Sequence, residues 1–202
     1  MKPAEQKGAH LMLDLESRDG IAIVHMRQGL LSTALLQRLA AALEFIRGPR
    51  AVVLTGYRST FAIDAETEEQ NGYRADDLLV AQQAALRAMI RHPRPIVAAI
   101  NGDALDTGFA LAAAADTRLM ARGLIGTTRP LAGTGPRATV VETISHAFGR
   151  DAQSMLAGGH TIGPAAAEAI GLVERATTPA CLLDEAVDRA RMLSGLHSAA
   201  SA

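Results

Sequence analysis

The residues best placed for chemistry gather around one strand–turn–helix segment. Pro95-Ile96-Val97-Ala98-Ala99-Ile100 is a continuous apolar run, Asn101-Gly102 a turn, and Gly108 to Ala115 an Ala-rich helix packed against the strand. Asp106 stands just before that helix. Its carboxylate can cap the free N–H groups there or, pointing into a pocket with a raised pKa, serve as a general acid or base. Asp64, closing Phe61-Ala62-Ile63-Asp64, poses a similar choice between a loop residue and a proton carrier.

Other reactive side chains have simpler readings. His92 and His146 fall near helix ends, where surface or capping roles suffice. Glu66, Glu68 and Glu69 form an acidic run that suits a helix start. Tyr57 and Tyr73 can pack or donate to a ligand. The lone Cys181 has no local partner that would make it a nucleophile. With one cysteine and scattered histidines, no metal site can be argued, and no metal or bound cofactor is expected.

Positioning these groups requires a folded core, and the composition supplies one. The chain has 202 residues, 49% hydrophobic and 20% charged, which fits a single globular domain rather than a disordered chain. A net charge of -1 gives no electrostatic reason to expect nucleic acid or an anionic membrane as partner. No apolar run reaches the roughly 18 residues of a membrane span. The polar start Met1 to Gly8 lacks a signal-peptide core, and a single cysteine fits a reducing compartment, so a cytoplasmic location is expected.

Strands and helices alternate along the chain, which indicates an α/β fold. Leu11–Glu16 and Ile21–Met26 read as a hairpin about Asp19-Gly20. Ser32 caps a helix with an apolar stripe from Leu35 to Ile46, stopped by Gly48-Pro49. Ala51–Gly56 is a buried strand. Asp76-Asp77 opens a helix reaching about Arg91, broken by His92-Pro93-Arg94-Pro95. Thr117–Ala121 is a strand, and helices follow over Val140–Phe148, Arg150–Leu156, Pro164 to Gly171, and Asp184 to Leu193. The division expected is a flexible segment 1–10, one domain over 11–195 and a frayed tail 196–202.

Several ordered segments resemble the crotonase (enoyl-CoA hydratase/isomerase) family. They are Arg50 to Gly56 followed by Phe61, Pro95 to Arg118, Leu156-Ala157-Gly158-Gly159, and Ala165 to Val173. The resemblance spans roughly residues 11–195. It implies the ClpP/crotonase spiral of ββα units with a truncated C-terminal helical tail, assembled as a trimer or hexamer. It also implies a pocket for an acyl thioester, with coenzyme A present only as part of that substrate. In this family two backbone N–H groups stabilise a thioester enolate. Carried onto this chain, they fall at Ala65 and Thr107.

The chain departs from the family pattern at positions that matter. Ile63-Asp64-Ala65-Glu66 stands for the common Ala-Gly-Ala-Asp, and Asp106-Thr107-Gly108 for Gly-Gly-Gly. Glycines that would leave room for a ligand are replaced by carboxylates. The two glutamates that hydratases use correspond to Ala110 and Arg129, neither of which can shuttle a proton at working pH. Arg129 can instead bind a substrate carboxylate, or pair with Asp106 or Asp64. Arg137, in the loop from Pro136 to Val140, can face a phosphate or solvent. The loop from His25 to Ser32 is short, which weakens the case for CoA and leaves a carrier-bound acyl group open.

The resemblance therefore implies a divergent enzyme acting on an acyl thioester through an enolate, by isomerase, lyase or decarboxylase chemistry in a specialised pathway. Asp106 or Asp64 would move the proton, and Arg129 and Arg137 would bind substrate. The alternative is a catalytically inert crotonase-fold subunit that stabilises or stimulates a partner enzyme.

Overall fold

The apolar strands read from the sequence form the centre of the fold in a computed structural model, which describes residues 12–46, 51–64, 73–131 and 138–200. Elements run β1 (Leu13–Arg18), β2 (Ile21–Met26), β3 (Leu30–Leu31), α1 (Thr33–Phe45), β4 (Val52–Thr55), β5 (Thr60–Asp64), α2 (Tyr73–Ile90), β6 (Ile96–Ile100), β7 (Asp103–Leu105), α3 (Thr107–Ala113), β8 (Thr117–Met120), β9 (Ile125–Gly126), α4 (Ala138–Gly158), β10 (Thr161–Ile162), α5 (Pro164–Ala169), β11 (Arg175–Ala176) and α6 (Leu182–Ala200).

From β2 onward a ββα unit repeats four times. The first strand of each unit, β2, β4, β6 and β8, enters a six-stranded sheet of order β1-β2-β4-β6-β8-β11. The second strand, β3, β5, β7 and β9, enters a five-stranded sheet of order β10-β9-β7-β5-β3. Within each sheet the strands of successive units pair in parallel. Each turn of the chain therefore adds one strand to each layer, which is the expected crotonase spiral.

The six-stranded sheet is covered on both faces, so its inner strands read as unbroken apolar runs. Val52, Leu54, Ile96, Ala98 and Ile100 pack with α1, α2 and α3 on one side. Val53, Val97 and Ala99 on the other side meet Leu182, Ala186, Val187 and Ala190 of α6. All five residues of β6 are buried.

Local signals explain several boundaries. Ser32 caps α1, its hydroxyl accepting from the Leu35 N–H at 3.3 Å. Asp19 and Gly20 both take positive φ in the β1–β2 turn, the geometry that an Asp-Gly hairpin supplies. Gly149 breaks helical geometry inside α4, at the point where the sequence separates two helices.

Some boundaries differ from the sequence reading. α2 begins at Tyr73, before Asp76-Asp77, and Asp76 lies in its first turn. α6 begins at Leu182, so Asp184 sits within the first turn rather than at the cap, where it pairs with Arg18 at 2.6 Å. α6 also continues past Leu193 to Ala200. Gly48-Pro49 and Glu66, Glu68 and Glu69 lie outside the described residues.

Candidate functional site

Three adjacent parallel strands of the five-stranded sheet, β5, β7 and β9, end side by side. Their carboxyl ends deliver Asp64, Asp106 and the segment Thr127-Thr128-Arg129, respectively. The sheet thus brings together three of the charged residues singled out in the sequence. Side chains at the carboxyl ends of neighbouring parallel strands converge where loops can open a ligand crevice.

The start of α3 is pressed against β5. A Cβ at Gly108 would lie 1.8 Å from the Ala62 carbonyl oxygen, so only glycine allows this approach. That contact sets Thr107, the residue before Gly108, beside Asp64, two residues beyond Ala62. Both the hydroxyl and the backbone N–H of Thr107 hydrogen-bond to the Asp64 carboxyl.

Asp64 is partly buried, and this removal from water pushes its pKa up to about 6. The Thr107 hydrogen bonds pull the other way, the neighbouring Asp106 charge adds to the rise, and Arg129 opposes it. Burial wins. Asp64 therefore carries a proton that leaves near neutral pH, the property a general acid or base requires.

Asp106 departs from the capping role. It occupies the N-cap position of α3, yet its side chain makes no capping hydrogen bond. Its carboxylate instead turns to Thr128, accepting from the backbone N–H at 3.2 Å and from the hydroxyl at 2.6 Å. The reason lies in the backbone: φ is 54° and ψ -109°, which aims the side chain away from the helix. Such a conformation favours glycine, and Asp holds it only because its surroundings fix it. Two fixtures are visible, the Thr128 bonds and the Asp106 N–H donating to the Gly126 carbonyl at 3.0 Å. Asp106 is only 5% exposed. Its carboxylate ties the β7–α3 turn to the segment after β9, a structural task that competes with proton transfer.

Thr107 is 1% exposed, and its Oγ accepts a hydrogen bond from Gln82 Nε2 of α2 at 3.1 Å. Gln82 was not marked by the sequence, where it is one polar residue among many in a helix. Its burial to 7% exposure is visible only once α2 packs on α3. Ala110 is fully buried, and Arg129 is exposed with its charge felt at Asp64. Ala65 and Arg137 lie outside the described residues.

The remaining candidates sit elsewhere. His92 binds the backbone carbonyl of Arg94 through Nδ1 at 2.8 Å. His146 lines a groove of about 370 Å³ between α2 and α4. Tyr57 carries the Arg58 guanidinium over its ring, and Cys181 is exposed. Among the described residues no group of three or more His, Cys, Asp or Glu could hold a metal ion, and no helix is long and apolar enough to cross a membrane.

Comparison with known proteins agrees with this architecture. The family model "Enoyl-CoA hydratase/isomerase" matches residues 16–202. YngF of Bacillus subtilis (strain 168), an enoyl-CoA hydratase/isomerase by name, is 30% identical over 167 residues, covering 79% of this chain and 64% of YngF. The chain thus spans less than two thirds of that relative's length. An enoyl-CoA hydratase by name from Rhizobium meliloti (strain 1021) is 28% identical over 192 residues, covering 91% of this chain and 75% of the relative. The crystal structure of an enoyl-CoA hydratase from Bacillus anthracis superposes with a TM-score of 0.81 at 25% identity, covering 91% of this chain and 76% of that one. Pseudomonas aeruginosa DspI superposes at 0.82 with 21% identity, covering 96% and 84%, and shares the fold. With the family model matched over nearly its whole length, the chain belongs to the enoyl-CoA hydratase/isomerase family of the crotonase superfamily.

Proposed function

We propose that the protein moves a proton within an acyl thioester through an enolate, as an isomerase does, with Asp64 as the proton carrier. The observation that carries this reading is the contact of the Asp64 carboxyl with the Thr107 N–H and hydroxyl. A thioester carbonyl seated at the Thr107 N–H would bring its α-carbon next to that carboxylate. Asp64 would take the α-proton while the N–H stabilises the enolate oxygen, then return the proton to the γ-carbon. One carboxyl suffices for such a shift, whereas hydration by a pair of glutamates has no counterpart at Ala110 and Arg129. Arg129 would hold an anionic part of the substrate near the site entrance. The substrate is proposed as an acyl-CoA or carrier-bound thioester, and the assembly as a homo-oligomer.

Before chemistry, the thioester must displace Asp64 from the Thr107 N–H. The carboxyl must swing clear as the anion, because only ionised Asp64 can take the α-proton. The same engagement of the donor favours a second reading, an inert subunit whose site is filled from within. A 3-enoyl-CoA incubated with the protein separates the two. Conversion to the 2-enoyl isomer, lost in Asp64→Asn, is the expected result. No conversion, together with no heat of binding for acetyl-, crotonyl- and malonyl-CoA by calorimetry, moves the assignment to the subunit.

A further inference from the structure

Gln82, Thr107 and Asp64 form a chain of hydrogen bonds with a fixed direction. The Gln82 amide nitrogen donates to the Thr107 Oγ at 3.1 Å in a buried setting. An amide NH2 only donates, so the Thr107 oxygen is the acceptor and its single hydroxyl proton is left for another partner. That partner is Asp64, which also receives the Thr107 N–H. Reversing the Gln82 amide would set its carbonyl oxygen and the Asp64 carboxylate against one shared hydrogen. A buried acceptor would then go unsatisfied, at a cost of about 1–3 kcal/mol.

We propose that Gln82 is a positioning residue for this site, fixing the Thr107 hydroxyl as a donor to Asp64 so that the carboxyl is held against the oxyanion donor in one orientation. The proposal rests on the reading of Asp64 as proton carrier, although its test needs no activity. The adjacent Gln83 plays a parallel tethering role on the outer side, donating to the Thr139 Oγ at 3.2 Å and joining α2 to α4. The two neighbouring glutamines thus fasten α2 to α3 and to α4. Only Gln82 reaches the site. Among the described residues the charged groups acting on Asp64 are Asp106, from the β7–α3 turn, and Arg129, from the segment after β9.

The test is a carbon-13 NMR titration of the Asp64 carboxyl, assigned by the signal missing in Asp64→Asn. Gln82→Met keeps the side-chain volume and removes the donor; Gln82→Glu turns the donor into an acceptor that competes for the Thr107 proton. Thr107→Val removes the hydroxyl and keeps the N–H. Loss of one hydrogen bond to the carboxylate raises its titration midpoint by roughly 0.5–1 pH unit. Thr107→Val should shift upward by that amount, Gln82→Met by less, because the hydroxyl keeps its proton and loses only its fixed orientation, Gln82→Glu by more, and Gln83→Met not at all. An Asp64 midpoint unchanged in folded Gln82→Met while Thr107→Val shifts overturns the proposal. Should Gln82→Met fail to fold, Gln82→Glu decides: no upward shift there overturns it equally. Failure of thioester turnover would leave these titrations intact and would count only against the proposed function.

Discussion

Asparagine in place of Asp64 should stabilise the protein, and only at pH values where the aspartate is ionised. A carboxyl that titrates at about 6 when folded and near 3.8 when unfolded carries about 3 kcal/mol of pH-dependent destabilisation. Asp64 keeps some contact with solvent, so about 2 kcal/mol is the working figure. The folded state binds this proton more tightly than the unfolded state. Stability is therefore greatest below pH 3.8, falls as pH rises through the window to about 6, and stays reduced above it. Asn carries no titrating proton and can still accept from the Thr107 N–H and hydroxyl. Urea unfolding of both proteins from pH 4.5 to pH 8 should show the variant's advantage growing with pH. At pH 8 it corresponds to a rise in Tm of about 4–8 °C for a chain of this size. An advantage that is constant with pH, or a variant destabilised throughout, would refute the reasoning, since neither follows from a buried carboxyl that resists ionisation.

Three further outcomes follow from the geometry. Asp106→Ala loses the Thr128 bonds and keeps the positive φ, whereas Asp106→Gly relieves the backbone; the glycine variant should be more stable than the alanine variant by about 1 kcal/mol in urea unfolding. Gly108→Ala would force a methyl into the Ala62 carbonyl, and a loss of about 3 kcal/mol or more, read from the unfolding midpoint, is expected. Arg118 donates to the Leu172 and Ala115 carbonyls and lies over the Phe148 ring, so Arg118→Ala should cost about 2–4 kcal/mol in the same assay.

How far the fold could be read from sequence depended on how local each signal was. β6 is a buried apolar run, and β2 is one but for half-buried His25; the bounds of both match the runs themselves. β3, β9, β10 and β11 have two residues each, too short for alternation to register, and exist because a neighbouring strand pairs with them. The Ser32 cap was legible because its partner is three residues away. The capping option that the same rule offers at Asp106 is not taken. Cap preference describes an ordinary backbone, and the positive φ that turns this side chain to Thr128 is imposed by contacts with residues near 126–128. The pairing of Asp64 with Thr107 was equally out of reach, because it depends on α3 meeting β5 at Gly108. Asp64, the adjacent pair Asp106 and Thr107, and Arg129 lie far apart in the sequence, and only the sheet draws them into one neighbourhood.

Deuterium uptake at the α-carbon of a bound acyl-CoA in heavy water tests the enolate most directly, because it requires no assumption about the final product. Mass spectrometry of butyryl-CoA incubated with the protein near pH 7 should show one or two deuterons gained. Asp64→Asn should slow that uptake by about 10²–10⁴-fold, the usual contribution of a positioned general base. Exchange at the same rate in both proteins, or none in either, would contradict Asp64 acting as proton carrier beside the Thr107 N–H.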